Sequence, residues 1–226
     1  MFQLDQQATL YLNGSQNLFL DNLMLTVTST FSWSLVIIML IYILFKNNGW
    51  KEALLILLTI GLMIFVADRI CSGWIKPTIA RWRPTRDPEI MYLVDTVLNY
   101  RGGRYGFFSG HACNTSCVAM FLAWLFREKH LTTILFLWSV TTTYTRLYLG
   151  VHYLGDVLVG WSVGLTLGCI FYFLYYLLRR RVGTTQLISE QFTSSGYPLK
   201  DIHLFITVIA FNYIIVTIYA ITRGII

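Results

Sequence analysis

TRLYLGVHYLGD, residues 145–156, closes one apolar segment and opens the next. It places a hydroxyl, an arginine, an imidazole and a carboxylate between two stretches that are almost free of charge. His152 and Asp156 stand four positions apart, so a helix starting there carries both on one face. Arg146 ends the preceding stretch, and Gly150 lets the chain turn so that the guanidinium comes back beside His152. The segment reads as the joint of a helical hairpin with its polar groups gathered at one end.

The rest of the chain has the same character. Of its 226 residues 56% are hydrophobic and only 12% charged, against about a quarter charged in soluble domains. Six apolar segments, at about 23–45, 53–75, 111–126, 131–149, 153–178 and 202–221, approach the roughly 20 residues that a membrane-crossing helix needs. The expected fold is an all-α integral membrane protein, six transmembrane helices in a bundle plus short interfacial helices. Residues 1–22 mix apolar and polar positions and are expected to form an amphipathic helix on the membrane surface. The loop 85–106 holds apolar residues at helical spacing over 89–99, which predicts a second short helix resting above the polar joints. Residues 182–200 read as a cytoplasmic linker before the last helix at 202–221. One domain, 1–226, is expected, with a core at about 50–180. No cleavable signal peptide is expected, because the first residues lack a basic start and a long apolar core.

The net charge of +6 does not point to nucleic acid, since the basic residues sit at the edges of apolar segments. That placement suits the bilayer and its anionic headgroups as partners. Lys46 and Lys51, Arg127 and Lys129, and Arg179 to Arg181 with Lys200 fall on one side if six helices alternate, and that side is read as cytoplasmic. Lys76, Arg81, Arg83, Arg86, Arg101, Arg104 and Arg146 fall on the other. Cations kept on the disfavoured side are expected to have a task there. Cys71, Cys113, Cys117 and Cys169 lie in apolar stretches without the ligand spacing of a metal centre. No metal and no cofactor are expected.

Three clusters carry chemistry. Asp156 can accept the Nδ1–H of His152 and so present Nε2 as a nucleophile. Ser109-Gly110-His111 opens an apolar segment, where free backbone N–H groups and the helix dipole attract anions. Gly110 admits a phosphate to the backbone, and His111 can protonate a leaving oxygen. Lys76 and Arg83, with Arg146, supply cations for a phosphate dianion, Arg81 being a rival to Arg83. Singly, each has an ordinary explanation: a capped helix start, a surface histidine, an arginine snorkelling to the interface. Together, on one side of the membrane, they make a phosphatase inventory.

In order and spacing these residues resemble the type 2 phosphatidic acid phosphatase superfamily, which also includes vanadium haloperoxidases. The family pattern is Lys, six residues, Arg-Pro; Pro-Ser-Gly-His; then Ser-Arg, five residues, His, three residues, Asp. The chain has Lys76 with Arg83-Pro84, Phe108-Ser109-Gly110-His111, and Thr145-Arg146 with His152 and Asp156. Phe108 stands where the pattern has Pro, and Thr145 where it has Ser. The resemblance implies His152 as a nucleophile forming a phosphohistidine, Asp156 as its orienting carboxylate and His111 as proton donor. It implies Lys76, Arg83, Ser109, Gly110 and Arg146 as phosphate ligands, with no metal. Residues 99–111 look like bacterial envelope members acting on lipid A or on undecaprenyl diphosphate, and of the two lipid A is favoured. Thr145, Arg101 and Arg104 are further candidates for contact with substrate. The resemblance implies a bacterial inner membrane, and the basic joints put the site on the side facing the periplasm. A non-catalytic lipid-phosphate binder or transporter is the alternative; it would need neither histidine.

Overall fold

The structure, a computed structural model, describes residues 2–179 and 191–225. Among them the protein is helical throughout, the only β-pairing being isolated bridges at Trp82–Tyr105 and Phe192–Pro198. In chain order the helices are α1 (Phe2–Leu12), α2 (Leu18–Thr28), α3 (Ser34–Asn47), α4 (Trp50–Asp68), α5 (Lys76–Ile79), α6 (Gly110–Phe126), α7 (Lys129–Tyr148), α8 (Leu154–Arg179) and α9 (Leu199–Ile225). A π-helical stretch, Arg69–Ile75, joins α4 to α5 without a break. Among the described residues four stretches are long and apolar enough to cross a bilayer: Thr30–Asn47, Trp50–Ile79, Leu154–Arg179 and Leu199–Arg223.

Helix α6 falls outside that set for a physical reason. α6 is the hub, packed most extensively against α8 and α7 and also against α4. Ten of its side chains, from Ala112 to Phe126, are buried. A helix surrounded by protein needs no lipid-facing apolar surface, and polar Asn114, Thr115 and Ser116 are at home there.

Its closest neighbour is α8, through Gly160, Gly164 and Gly168. A Cβ at Gly164 would overlap Ser116 Oγ and the Cys113 carbonyl, and one at Gly160 would stand 2.5 Å from the Ser109 carbonyl. Small residues four apart let two membrane helices meet backbone to backbone. At the end of the bundle remote from these polar joints, Lys46 pairs with Asp201 at 2.7 Å and Arg179 with Glu52 at 2.6 Å.

Three expectations are corrected. Residues 1–22 form two helices, not one: Gly14 and Gln16 take positive φ between α1 and α2. Asn13 ties that turn down, its Nδ2 donating to the Asp95 and Tyr148 carbonyls and its Oδ1 accepting from Asp95 N. The segment 23–45 is likewise broken. α2 ends at extended Ser29, and Ser32 Oγ and Trp33 Nε1 donate to the Thr26 and Val27 carbonyls that the break would orphan. Residues 89–99 form turns and a single 3₁₀ turn, Val97–Asn99, rather than an α-helix. Ile90, Val94 and Val97 are buried as their spacing demands, but positive φ at Leu98 and Asn99 interrupts any helical ladder. Of the linker 182–200, residues 182–190 lie outside the described residues.

The α6–α8 contact predicts a contrast. Gly164→Ala should lower stability by about 1–3 kcal/mol, the usual cost of overpacking. Gly61→Ala, whose Cβ meets nothing within 4 Å, should be neutral or stabilising. Thermal unfolding in detergent reads both; equal behaviour of the two variants would contradict the packing.

Candidate active site

Lys76, Arg83, Ser109, Gly110, His111, Arg146, His152 and Asp156 come together at one end of the bundle. Ser109 is the N-cap of α6, its Oγ accepting from Ala112 N at 3.4 Å while its own N–H donates to the Asp156 carbonyl at 2.9 Å. A Cβ on Gly110 would sit 3.8 Å from Lys76 Nζ, so the π-helical stretch carries the lysine to the start of α6. Such stretches recur at functional sites.

The cations of the loop after α5 are aimed by its backbone. Gly106 N donates to the Arg81 carbonyl and Arg83 N to the Arg104 carbonyl. Residues 81–83 are thus extended, and alternate side chains share a side. Arg81 and Arg83 face inward, and Trp82 packs outside against Tyr105, the two rings tilted by 56°. Arg83 is buried. Its Nε donates to the Tyr105 carbonyl at 3.1 Å, and its Nη1 to the Val151 carbonyl at 3.0 Å and to His152 Nε2 at 3.1 Å.

That last bond fixes the tautomer. A guanidinium can only donate, so Nε2 is the unprotonated nitrogen and the proton sits on Nδ1. Nδ1 faces Asp156 Oδ2 at 3.5 Å, within ion-pair reach but longer than a formed hydrogen bond. His152 is 2% exposed. Burial, together with the nearby Arg83, Arg146 and Lys76 cations, holds its imidazole well below the ordinary histidine range.

Asp156 is fully buried and heavily bonded. Oδ1 accepts from Arg81 Nη1 at 2.7 Å and Oδ2 from Tyr153 N at 3.1 Å. Gly106 lies over this group, where a Cβ would come 2.9 Å from Asp156 Oδ2. Arg146 is 2% exposed. Its Nη1 donates to Thr28 Oγ1 at 2.7 Å and its Nη2 to the Tyr100 hydroxyl at 3.2 Å, while Nε is buried without a partner. His111 lies against the Thr28 backbone and within electrostatic reach of Arg146, Lys76 and Arg83.

The remaining candidates are engaged elsewhere. The Thr145 hydroxyl donates to the Thr142 carbonyl in its own helix. Arg101 and Arg104 are exposed. Arg104 lies over the Trp82 ring at 4.7 Å, and Arg101 donates to the Thr85 carbonyl at 3.4 Å. Neither guanidinium is hydrogen-bonded to the His152 cluster among the described residues. Phe108 fills an apolar cluster with Ala67, Cys71 and Cys113. Among the described residues no group of His, Cys, Asp and Glu could hold a metal ion.

Sequence reasoning missed four contributors: Arg81 as the partner of Asp156, Thr28 and Tyr100 as partners of Arg146, and Asp5. Asp5 Oδ2 accepts from Arg81 Nη2 at 2.6 Å, and its Oδ1 accepts from Gly155 N at 2.8 Å. The doublet Arg81/Arg83 was a usable signal for the first; nothing local marks the others.

The chain is similar to known proteins over most of its length. A family model of the PAP2 superfamily matches residues 52–182. A lipid A 4'-phosphatase of Bacteroides thetaiotaomicron is 40% identical over 79% of this chain and 80% of its own length. One of Porphyromonas gingivalis is 36% identical over 80% of this chain and 77% of its own length. The crystal structure of a transmembrane PAP2-type phosphatidylglycerolphosphate phosphatase from Bacillus subtilis has the same fold. Its TM-score is 0.59 at 23% identity, over 81% of this chain and 88% of that one.

The depressed basicity of His152 is directly measurable. In ¹⁵N-histidine-labelled protein the His152 ring should still be neutral at pH 6.5, where half of free histidine is charged. Because its folded value is lowered, the ring should take up a proton only well below that pH. Imidazolium shifts for His152 at pH 6.5 would contradict the geometry.

Proposed function

The chain belongs to the PAP2 superfamily, and on that premise we propose that it hydrolyses the 4'-phosphate of lipid A through a phosphohistidine on His152. A membrane lipid phosphatase is what the family and its relatives establish. The finer substrate rests on one observation: two lipid A 4'-phosphatases match about four-fifths of the chain.

The chemistry follows from the site. A phosphate dianion arriving among Arg83, Arg146 and Lys76 competes for the Arg83 guanidinium and frees the Nε2 lone pair of His152. Ser109, the Gly110 N–H and the dipole of α6 hold the phosphate oxygens. Nε2 attacks phosphorus, a P–N bond forms, and the P–O bond to the lipid breaks. His111 delivers a proton to the departing oxygen. Phosphorylation makes the His152 ring cationic, which strengthens the Nδ1–H contact with Asp156. Water then attacks phosphorus, His111 takes its proton, and the P–N bond breaks to release inorganic phosphate.

We read α6 and α7 as the remaining two of six spans, and the site as facing the periplasm. Arg127 and Lys129, between α6 and α7, share their side with Lys46 and Arg179, while the site cations lie at the other end. In a Cys169→Ser background, Gly103→Cys should react with an impermeant thiol reagent added from the periplasm, and Glu128→Cys should not. The opposite labelling would reverse the orientation.

The activity has its own test. Purified protein should release phosphate from lipid A faster than from undecaprenyl diphosphate or phosphatidylglycerophosphate. His111→Asn should lose about 10²–10⁴-fold in kcat, as for a proton donor. His152→Asn should lose more and form no acid-labile phosphoprotein. Retained turnover in the His152 variant would rule out the covalent route.

A further inference from the structure

Helix α1 sits against the start of α8 and caps it from outside. The Leu154 N–H donates to Thr9 Oγ1 at 3.0 Å, and the Gly155 N–H donates to Asp5 Oδ1 at 2.8 Å. These are donors that a helix start leaves without partners, and a carboxylate there also meets the positive end of the helix dipole. Gly155 makes room for it: a Cβ at that position would stand 3.0 Å from Asp5 Oδ2. Other contacts seat α1 as well. Gln6 Nε2 donates to Glu89 Oε2 at 3.0 Å, and Asn13 Nδ2 donates to the Tyr148 carbonyl at 2.8 Å. Asp5 lies outside residues 52–182, the stretch that the family model matches.

The second oxygen of Asp5 makes a bond that capping does not require. Oδ2 accepts from Arg81 Nη2 at 2.6 Å, and Arg81 Nη1 donates to Asp156 Oδ1 at 2.7 Å. One guanidinium is thus shared by two carboxylates. Its place is fixed further by the Tyr153 ring, whose centroid lies 4.0 Å from Arg81 Cζ. Two carboxylates and one guanidinium leave the group with a net negative charge. The Asp5 and Arg81 side chains are 17% and 19% exposed and that of Asp156 is 0% exposed, so salt and water screen these charges little. Without Asp5, Arg81 and Asp156 would form a neutral pair. With Asp5 taking one edge of the guanidinium, Asp156 keeps more of its charge for the imidazole 3.5 Å away.

We infer that Asp5 is a positioning residue of the reaction: by holding one edge of Arg81 it fixes Asp156 and leaves that carboxylate's charge to the His152 ring as the ring becomes cationic. This rests on the phosphatase reading of the site and extends its machinery to a helix outside the matched core. Asp5 acts through Arg81 and Asp156, and among the described residues it is hydrogen-bonded to neither histidine of the site. Its charge matters most when the ring is positive, which is in the transition state and the phosphorylated intermediate. Its loss is therefore felt in kcat, with lipid binding kept.

Phosphate release from lipid A in detergent micelles, with thermal unfolding measured on the same preparations, tests it. Asp5→Asn keeps the shape and an oxygen for the Gly155 N–H but removes the charge. It should lower kcat about tenfold and leave KM within about twofold of the native value. Asn13→Ala loosens the other end of α1 and serves as the control: it should lower the unfolding temperature and keep kcat. Gly155→Ala changes no charge but crowds Asp5 Oδ2 away from Arg81, and it should lower kcat in the same sense as Asp5→Asn. Native kcat in Asp5→Asn, a loss confined to KM, or an equal kcat loss in Asn13→Ala would overturn the inference and leave the phosphatase intact. Should Asp5→Asn yield no folded protein, Gly155→Ala decides, and native kcat there overturns it. Absence of phosphate release by the unaltered protein would instead count against the phosphatase reading itself.

Discussion

A fully buried carboxylate, Asp156, holds the molecule's separate parts together. Its side chain binds Arg81 and the backbone of Tyr153, and its carbonyl binds the N–H of Ser109. Through Arg81 it reaches Asp5 in α1, and through Ser109 it fixes the start of α6 against the start of α8. A buried charge is costly unless its lone pairs are satisfied, and here three chain segments must be in register to satisfy it. The imidazole of His152, 3.5 Å away, inherits its position from that requirement. The carboxylate that orients the proposed nucleophile also closes the tertiary structure around it.

Much of the site was legible because its residues fall in three local clusters whose spacing matches helix ends. His152 and Asp156 lie one helical turn apart, and Ser109 caps the helix that His111 begins. What escaped were partners set by tertiary contact alone. Thr28 meets Arg146 across 118 positions and Asp5 meets Arg81 across 76. No periodicity links residues so far apart. The break between α2 and α3 was hidden for a related reason: the carbonyls it frees are satisfied by Ser32 and Trp33, ordinary residues until their hydrogen bonds are seen.

Hydropathy alone gives a skewed view of the bundle. Apolar composition records which helices face lipid, and the helix that organises this fold faces mostly protein. Asn114, Thr115 and Ser116, which make α6 read as a weak span, are the residues that its position permits. Ser116 Oγ donates to the Trp161 carbonyl, and Thr115 Oγ1 accepts from Ser139 Oγ. The glycines of α8 are the complementary half of this arrangement. They bring α8 close enough to α6 for Ser109 to reach Asp156. A polar inner helix and a glycine-lined partner are therefore one device, visible in sequence as two unrelated irregularities.

The same geometry explains how the proposed nucleophile is kept ready among cations without being protonated. Arg83, Arg146 and Lys76 disfavour a charged imidazole, and Arg83 holds the Nε2 lone pair in a hydrogen bond. A phosphate dianion reverses both effects at once. It offers the cations a better partner, and it places an electrophile where the arginine's proton had been. Mutual repulsion of the cations is relieved as a dianion binds, so the group to be attacked is also the group that releases the proposed attacker. The lipid that carries it need only bring its phosphate to this point.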